Sequence, residues 1–217
     1  NFLRTFPYLS VLTCVRDPVV SFARFLDYRG MCIGWEDNRI IFWAAHDYLF
    51  GQELLPEFRP NYCGIRFEDL KQNPEAVCRA LCRTLNVPYA AKMLEADGSF
   101  NDLEGNTVKG FDDKPLHRDI SGIMSEFDQL RFRIFYDPIL KHYGYHRFSF
   151  EEHPLSDAIV RELFRYPFRL EYVTEKRSNG AVTRADVHRW LQKTLQGLWK
   201  KEVICPVMIP LEDTVNE

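Results

Sequence analysis

The stretch Tyr8-Leu9-Ser10-Val11-Leu12-Thr13-Cys14-Val15-Arg16-Asp17-Pro18 decides the reading of the fold. Its first eight residues are a short apolar run rich in strand formers. That pattern predicts a strand buried on both faces, as in a parallel sheet. Arg16-Asp17-Pro18 ends the run, and Pro18 suits the first turn of a helix, where its missing N–H has no partner in any case. The following Val19-Val20-Ser21-Phe22-Ala23-Arg24-Phe25-Leu26 reads as that helix. The expected fold class is therefore α/β, a parallel sheet flanked by helices.

The same junction suits anions. A helix start leaves backbone N–H groups unpaired and carries a partial positive charge. Arg16 adds a planar, permanently charged fork that can grip phosphate through two hydrogen bonds. Ligands of open α/β sheets gather at the carboxyl ends of the strands, where Arg16 stands. The plainer alternative is that Arg16 pairs with Asp17 or Glu68 and only holds the loop.

Working outward, residues 35–50 show a helical pattern loaded with Trp35, Phe42, Trp43, Tyr48 and Phe50. These aromatics are core, or one wall of an acceptor pocket. A strand is expected from Tyr62 to Phe67. Asn73-Pro74-Glu75 supplies a cap, a first helical residue and an acid near the positive helix start. The helix should run to about Asn86 with Val77, Leu81 and Leu85 on one face. Residues 96–120 read as a long loop, a feature more often functional than idle. Ser125 should cap a helix through Phe127, Leu130 and Ile134, which Pro138 breaks or kinks and Gly144 closes. From about Arg147 the character changes. A short helix and a strand are expected over 157–172, a helix from Thr183 through Trp190, Leu195 and Leu198, and a strand-prone run from Val203 to Leu211. The organisation expected is one domain over 1–146 and a C-terminal extension or subdomain over 147–217.

Composition bounds the function. The chain has 217 residues, 46% hydrophobic and 27% charged, enough for a genuine core and against wholesale disorder. A net charge of -3 gives no global pull toward a nucleic acid polymer. No apolar run is long enough for a membrane helix, and no signal peptide is visible. The first residue is Asn1, and residues 1–15 read like the middle of a domain, so a fragment is expected. The six cysteines are irregularly spaced. Cys78 and Cys82 lie four apart on a predicted helix with no His or Cys pair to complete a metal site, so free buried thiols and no metal are expected. The sequence carries no Asn-x-Ser/Thr sequon, which leans toward a reducing compartment.

Val15-Arg-Asp-Pro-Val-Val-Ser-Phe-Ala-Arg-Phe25 resembles the second nucleotide-binding motif of sulfotransferases that use 3′-phosphoadenosine 5′-phosphosulfate. Ile65-Arg-Phe-Glu-Asp-Leu-Lys-Gln-Asn-Pro-Glu75 is similar to that family's strand, acidic turn and following helix. Leu81-Cys-Arg-Thr-Leu-Asn-Val87 is similar to its helix ending. Pro115-Leu-His-Arg-Asp-Ile-Ser121 and His142-Tyr-Gly-Tyr145 look like its closing segment. The resemblance spans about residues 8–146. It implies a P-loop-nucleotide-hydrolase-like fold, truncated at the N-terminus, and transfer of a sulfuryl group to a hydroxyl or amine of a small-molecule, carbohydrate or protein acceptor. The implied nucleotide-holding residues are Arg16, Ser21, Arg24, Arg118, Lys109 and Gly110. The family places a Ser eight residues after the Arg, where this chain has Arg24. Either Arg24 takes over as a phosphate ligand, or it is a solvated helix residue. His46 is a candidate general base. Glu68 and Asp69 are expected to position the turn and to pair with arginines. Nothing before Tyr8 is Gly-rich or holds a Lys followed by Ser or Thr, so the family's sulfate-holding loop is expected upstream of this sequence. The alternative is a non-catalytic binding or scaffold domain on a degraded sulfotransferase fold. Cytoplasmic placement is expected, or the Golgi lumen if an upstream anchor exists.

Overall fold

The computed structural model describes residues 10–24, 62–95, 111, 114–117, 119–145, 156–200 and 207–211. The chain divides into two compact units. One comprises residues 1–16, 54–118 and 206–217, and the other comprises 17–53 and 119–205. The described part is α/β, with a small parallel sheet and several helices.

The first unit holds the sheet. Strand β1 (Val11–Val15) lies parallel to β2 (Tyr62–Arg66), with Val11 opposite Tyr62 and Val15 opposite Arg66. A two-residue strand, β3 (Val207–Met208), pairs parallel to the other side of β2, and the Ile209 amide donates to the Gly64 carbonyl at 2.9 Å. Of the Val203–Leu211 run, residues 203–206 lie outside the described residues. The central strand β2 buries Cys63, Gly64 and Ile65 in succession, as a parallel strand covered on both faces does. In β1, by contrast, Leu12 and Cys14 are exposed while their neighbours are half-buried. The expectation of a strand buried on both faces thus fits β2 and not β1. Among the described residues β1 stands at the edge of the sheet, and apolar content alone does not tell a central strand from an edge strand.

Residues expected to form a turn after β2 form a short helix instead, α2 (Phe67–Gln72). Asn73 ends it, and α3 (Pro74–Leu85) begins at once with Pro74 in its first turn. The Asn73 side chain makes no capping hydrogen bond; its backbone stands at φ -134° and ψ 59°, away from the extended conformation usual for an N-cap, and its amide ends α2 by donating to the Asp69 carbonyl at 2.7 Å. The buried face of α3 is Val77, Cys78, Ala80 and Cys82, whereas Leu85 is exposed. Asn86 closes the helix in the left-handed conformation at φ 53°, and the Val87 amide reaches back to the Cys82 carbonyl at 2.9 Å. A single 3-10 turn follows at Ala91–Leu94.

The second unit is helical. Its first helix occupies 18–24 among the described residues; we label it α1. The longest, α4 (Glu126–Tyr143), starts with a reciprocal cap: Ser125 Oγ accepts the Asp128 amide at 3.1 Å and Asp128 Oδ2 accepts the Ser125 amide at 3.0 Å. Gly144, at φ 72°, terminates it. The helix continues through Pro138. Phe135, Tyr136, Ile139 and Leu140 are buried on either side of the proline, and that packing outweighs the roughly 3 kcal/mol a helical proline costs. Phe132, Phe135, Tyr136, Ile139 and Leu140 form its buried stripe, while Phe127 and Leu130 face outward.

Helices α5 (Asp157–Leu163), α6 (Arg169–Arg177) and α7 (Arg184–Lys200) join the same core through Val160, Phe164, Phe168, Leu170, Val187, Leu191 and Leu195. Helix α1 enters it through Val19, Phe22 and Ala23. Phe22 lies 5.1 Å from Phe132, and Phe168 meets Phe132 edge-on at 5.7 Å. The strand expected within 157–172 is helix: Glu171 Oε1 caps the start of α6 by accepting the Phe168 amide at 2.9 Å. Leu170, Glu171 and Thr174 then turn one helical face inward.

Candidate functional site

The register of β1 and β2 sets the carboxyl edge of the sheet. Val15 stands opposite Arg66, and Arg16 continues directly from Val15. The Arg16 guanidinium lies 5.1 Å from the centre of the Phe67 ring, and Lys71 Nζ lies 5.6 Å from the same ring. An aromatic face attracts cations by its quadrupole. Arg66 is held in another way: its Nε donates to Asp69 Oδ2 at 2.7 Å, the acid–arginine pairing expected of this turn. Three basic residues, Arg16, Arg66 and Lys71, thus gather at the ends of two parallel strands. Glu68 faces this edge as well. Desolvation, and secondarily the Glu68 carboxylate, push the Cys14 thiol above its ordinary range. The edge is therefore mixed in charge, with the cations partly balanced before any ligand arrives.

In the second unit, Asp17 takes the start of α1. Its Oδ1 accepts the Val19 amide at 2.9 Å and the Val20 amide at 3.4 Å, while Oδ2 accepts from Arg133 Nη2 at 2.6 Å. This corrects the expectation of unpaired N–H groups there. Asp before Pro is a strong cap, and the side chain reaches the orphan amides of its own helix sooner than any outside anion. Arg133, the partner of Asp17, lies 116 residues along the chain, beyond the reach of any local sequence signal. Ser21 is 7% exposed, between the buried Phe22 and half-buried Val20, and Arg24 is half-buried. Three residues apart on a helix, the two are separated by about 60° around its axis, so their side chains leave from one side.

Of the other candidate residues, His46, Lys109, Gly110 and Arg118 lie outside the described residues, as does the aromatic set at 35–50. Among the described residues, no group of three or more His, Cys, Asp or Glu could hold a metal ion. No helix among them is long and apolar enough to cross a membrane.

Sequence reasoning missed a second polar centre, inside the helical unit. Arg131 is fully buried and pairs with Asp128. Its Nη1 donates to the carbonyls of Leu163 at 2.9 Å and Tyr166 at 2.6 Å, and its Nη2 to that of Pro167 at 3.1 Å. Its guanidinium stacks 3.5 Å from the Phe168 ring centre. Burial pulls its pKa below the ordinary arginine value, and Asp128 opposes that pull. The only local signal was the three-residue spacing of Asp128 and Arg131, which surface ion pairs share. This centre joins α4 to the corner before α6 and is wholly internal, so its role is structural. Compared with protein-family models, with curated proteins and with solved structures, the chain matches none.

Proposed function

We propose that this chain is sulfotransferase-like, and that the carboxyl edge of its parallel strands binds the phosphates of 3′-phosphoadenosine 5′-phosphosulfate. The observation that carries this reading is the juxtaposition of Arg16 and Arg66 at the ends of β1 and β2, with Arg16 and Lys71 each held near the Phe67 ring. Parallel strands that end in guanidinium groups are suited to a multiply charged phosphate ester. Roles for Ser21, Arg24, Lys109, Gly110 and Arg118 rest on the family resemblance. In the reaction, a lone pair of the acceptor hydroxyl or amine attacks sulfur. The bond from sulfur to the bridging phosphate oxygen breaks, adenosine 3′,5′-bisphosphate leaves, and the acceptor's proton passes to a base or to solvent. Cations near the phosphates favour that departure by stabilising the growing negative charge.

One observation favours the binding-only alternative. The carboxylate of Asp17 fills the first turn of α1 and is itself locked by Arg133. A helix start so occupied adds nothing to phosphate binding. The test is thermal unfolding with adenosine 3′,5′-bisphosphate against adenosine 5′-monophosphate at equal concentration. The proposal expects the bisphosphate to stabilise more, by about 2.7 kcal/mol at a concentration one hundred times its Kd. Equal and negligible shifts contradict it. Stabilisation by the bisphosphate, with no sulfuryl transfer to a hydroxyl or amine acceptor by a protein that also carries the upstream sulfate-holding loop, supports the binding-only reading.

A further inference from the structure

The buried face of α3 gathers sulfur. Cys78 and Cys82 stand four residues apart, one helical turn, and are 6% and 3% exposed. The 3-10 turn at Ala91–Leu94 returns the chain to this face and brings Met93 to it. Cys82 Sγ approaches Met93 Sδ at 3.7 Å. One turn apart on one helix, the Cβ atoms of Cys78 and Cys82 stand about 5–6 Å from each other, a spacing at which two thiolates can share one ion. Cys82 also lines a surface cavity of about 500 Å³, together with Arg83, Asn86 and Tyr89. Met93 is 45% exposed as a residue, whereas Cys78 and Cys82 are buried.

We propose that Cys78, Cys82 and Met93 form a three-sulfur site for a soft monovalent metal ion, copper(I). Two thiolates and a thioether are the donor set that selects this ion over harder divalent ones. The spacing suits a shared ion: two sulfurs each about 2.3 Å from one metal stand roughly 3.8–4.0 Å apart at tetrahedral to trigonal angles. The Cys82–Met93 separation of 3.7 Å is already close to that. On binding, the S–H bonds of Cys78 and Cys82 are replaced by Cu–S bonds and two protons pass to solvent, with no change in the oxidation state of copper. Affinity therefore rises with pH. Zinc would have to complete its four-coordinate shell with water and accept a thioether, a donor that suits copper(I) better.

The experiment is anaerobic titration of the full chain with copper(I) against a chromophoric copper(I) chelator, with copper X-ray absorption on the loaded protein. Wild type should bind one tightly held ion with three sulfur neighbours, and excess zinc should not displace it. Met93→Leu, a nearly volume-conserving change at an exposed position, should fold normally, weaken binding at least about tenfold and lose one sulfur neighbour. Cys82→Ala should abolish the tight site, while Cys14→Ser, which alters a thiol outside this cluster, should leave it intact. Unchanged affinity and sulfur count in Met93→Leu overturn the proposal, as does displacement of the copper by zinc.

Discussion

Replacing Arg131 by Met tests what holds the helical unit together. Methionine keeps length and helix propensity but removes the charge and every donor. Asp128, 1% exposed, then keeps only the amides of Ser125 and Arg169 as partners, each at 3.0 Å, and loses its counter-charge. Breaking a buried pair by removing one partner costs about 3–5 kcal/mol. The carbonyls of Tyr166 and Pro167 belong to exposed residues and can turn to water, whereas that of Leu163 is less accessible; an orphaned buried carbonyl adds about 1–3 kcal/mol. The expected loss is about 4–8 kcal/mol, a large part of the roughly 5–15 kcal/mol of a typical domain. Equilibrium urea unfolding, followed by far-ultraviolet circular dichroism, measures it. The double variant Arg131→Met/Asp128→Asn leaves no lone buried charge, so it should cost less than the sum of the single changes by about 1–3 kcal/mol. If Arg131→Met lies within about 1 kcal/mol of wild type with an unchanged denaturant slope, the reasoning is refuted.

Three further outcomes are expected. Phe132→Ala, which empties the fully buried position between Phe22, Tyr136 and Phe168, should cost about 3–5 kcal/mol in the same unfolding assay; a loss below about 1 kcal/mol contradicts the core as described. Asp17→Ala removes the cap of α1 and the partner of Arg133, so a loss of about 1–3 kcal/mol is expected, with Asp17→Asn milder because the amide oxygen still caps; equal losses for the two would contradict the capping role. The raised pKa of Cys14 means less thiolate at any pH below it than in a free thiol. Iodoacetamide should therefore alkylate this site slowly at pH 8, with the rate–pH curve displaced upward, and Glu68→Gln should move the curve down; mass-spectrometric labelling of the Cys14 peptide follows both.

The parts of the fold legible in the sequence are those with local causes. Ser125 and Gly144 bracket α4 because a hydroxyl cap and a left-handed glycine act within one turn of the chain. Pro74 and Asn86 bracket α3 similarly. What was not legible depends on distant partners. Whether β1 is covered on both faces depends on its place in the sheet. Tyr166-Pro167-Phe168 and Tyr172-Val173 look like strand residues, yet the Glu171 cap and the burial of Leu170 and Thr174 make α6. Arg131 reads as one more surface arginine because its acceptors lie 32 to 36 residues further on, and they are backbone carbonyls that carry no side-chain signal. At the candidate site, Arg16 was legible from its place after an apolar run. The occupation of the helix start by Asp17 was half legible, since Asp-Pro is a capping pair, but Arg133 was not.

The central claim is that the carboxyl edge of β1 and β2 binds the nucleotide phosphates through Arg16. Calorimetric titration of adenosine 3′,5′-bisphosphate into wild type and Arg16→Ala tests it most directly. Loss of one charge-assisted contact should weaken binding by about 1.5–3 kcal/mol, roughly 10- to 150-fold, with the unfolding midpoint of the free protein little changed. Equal affinities for the two proteins, or no binding to wild type, would contradict the claim.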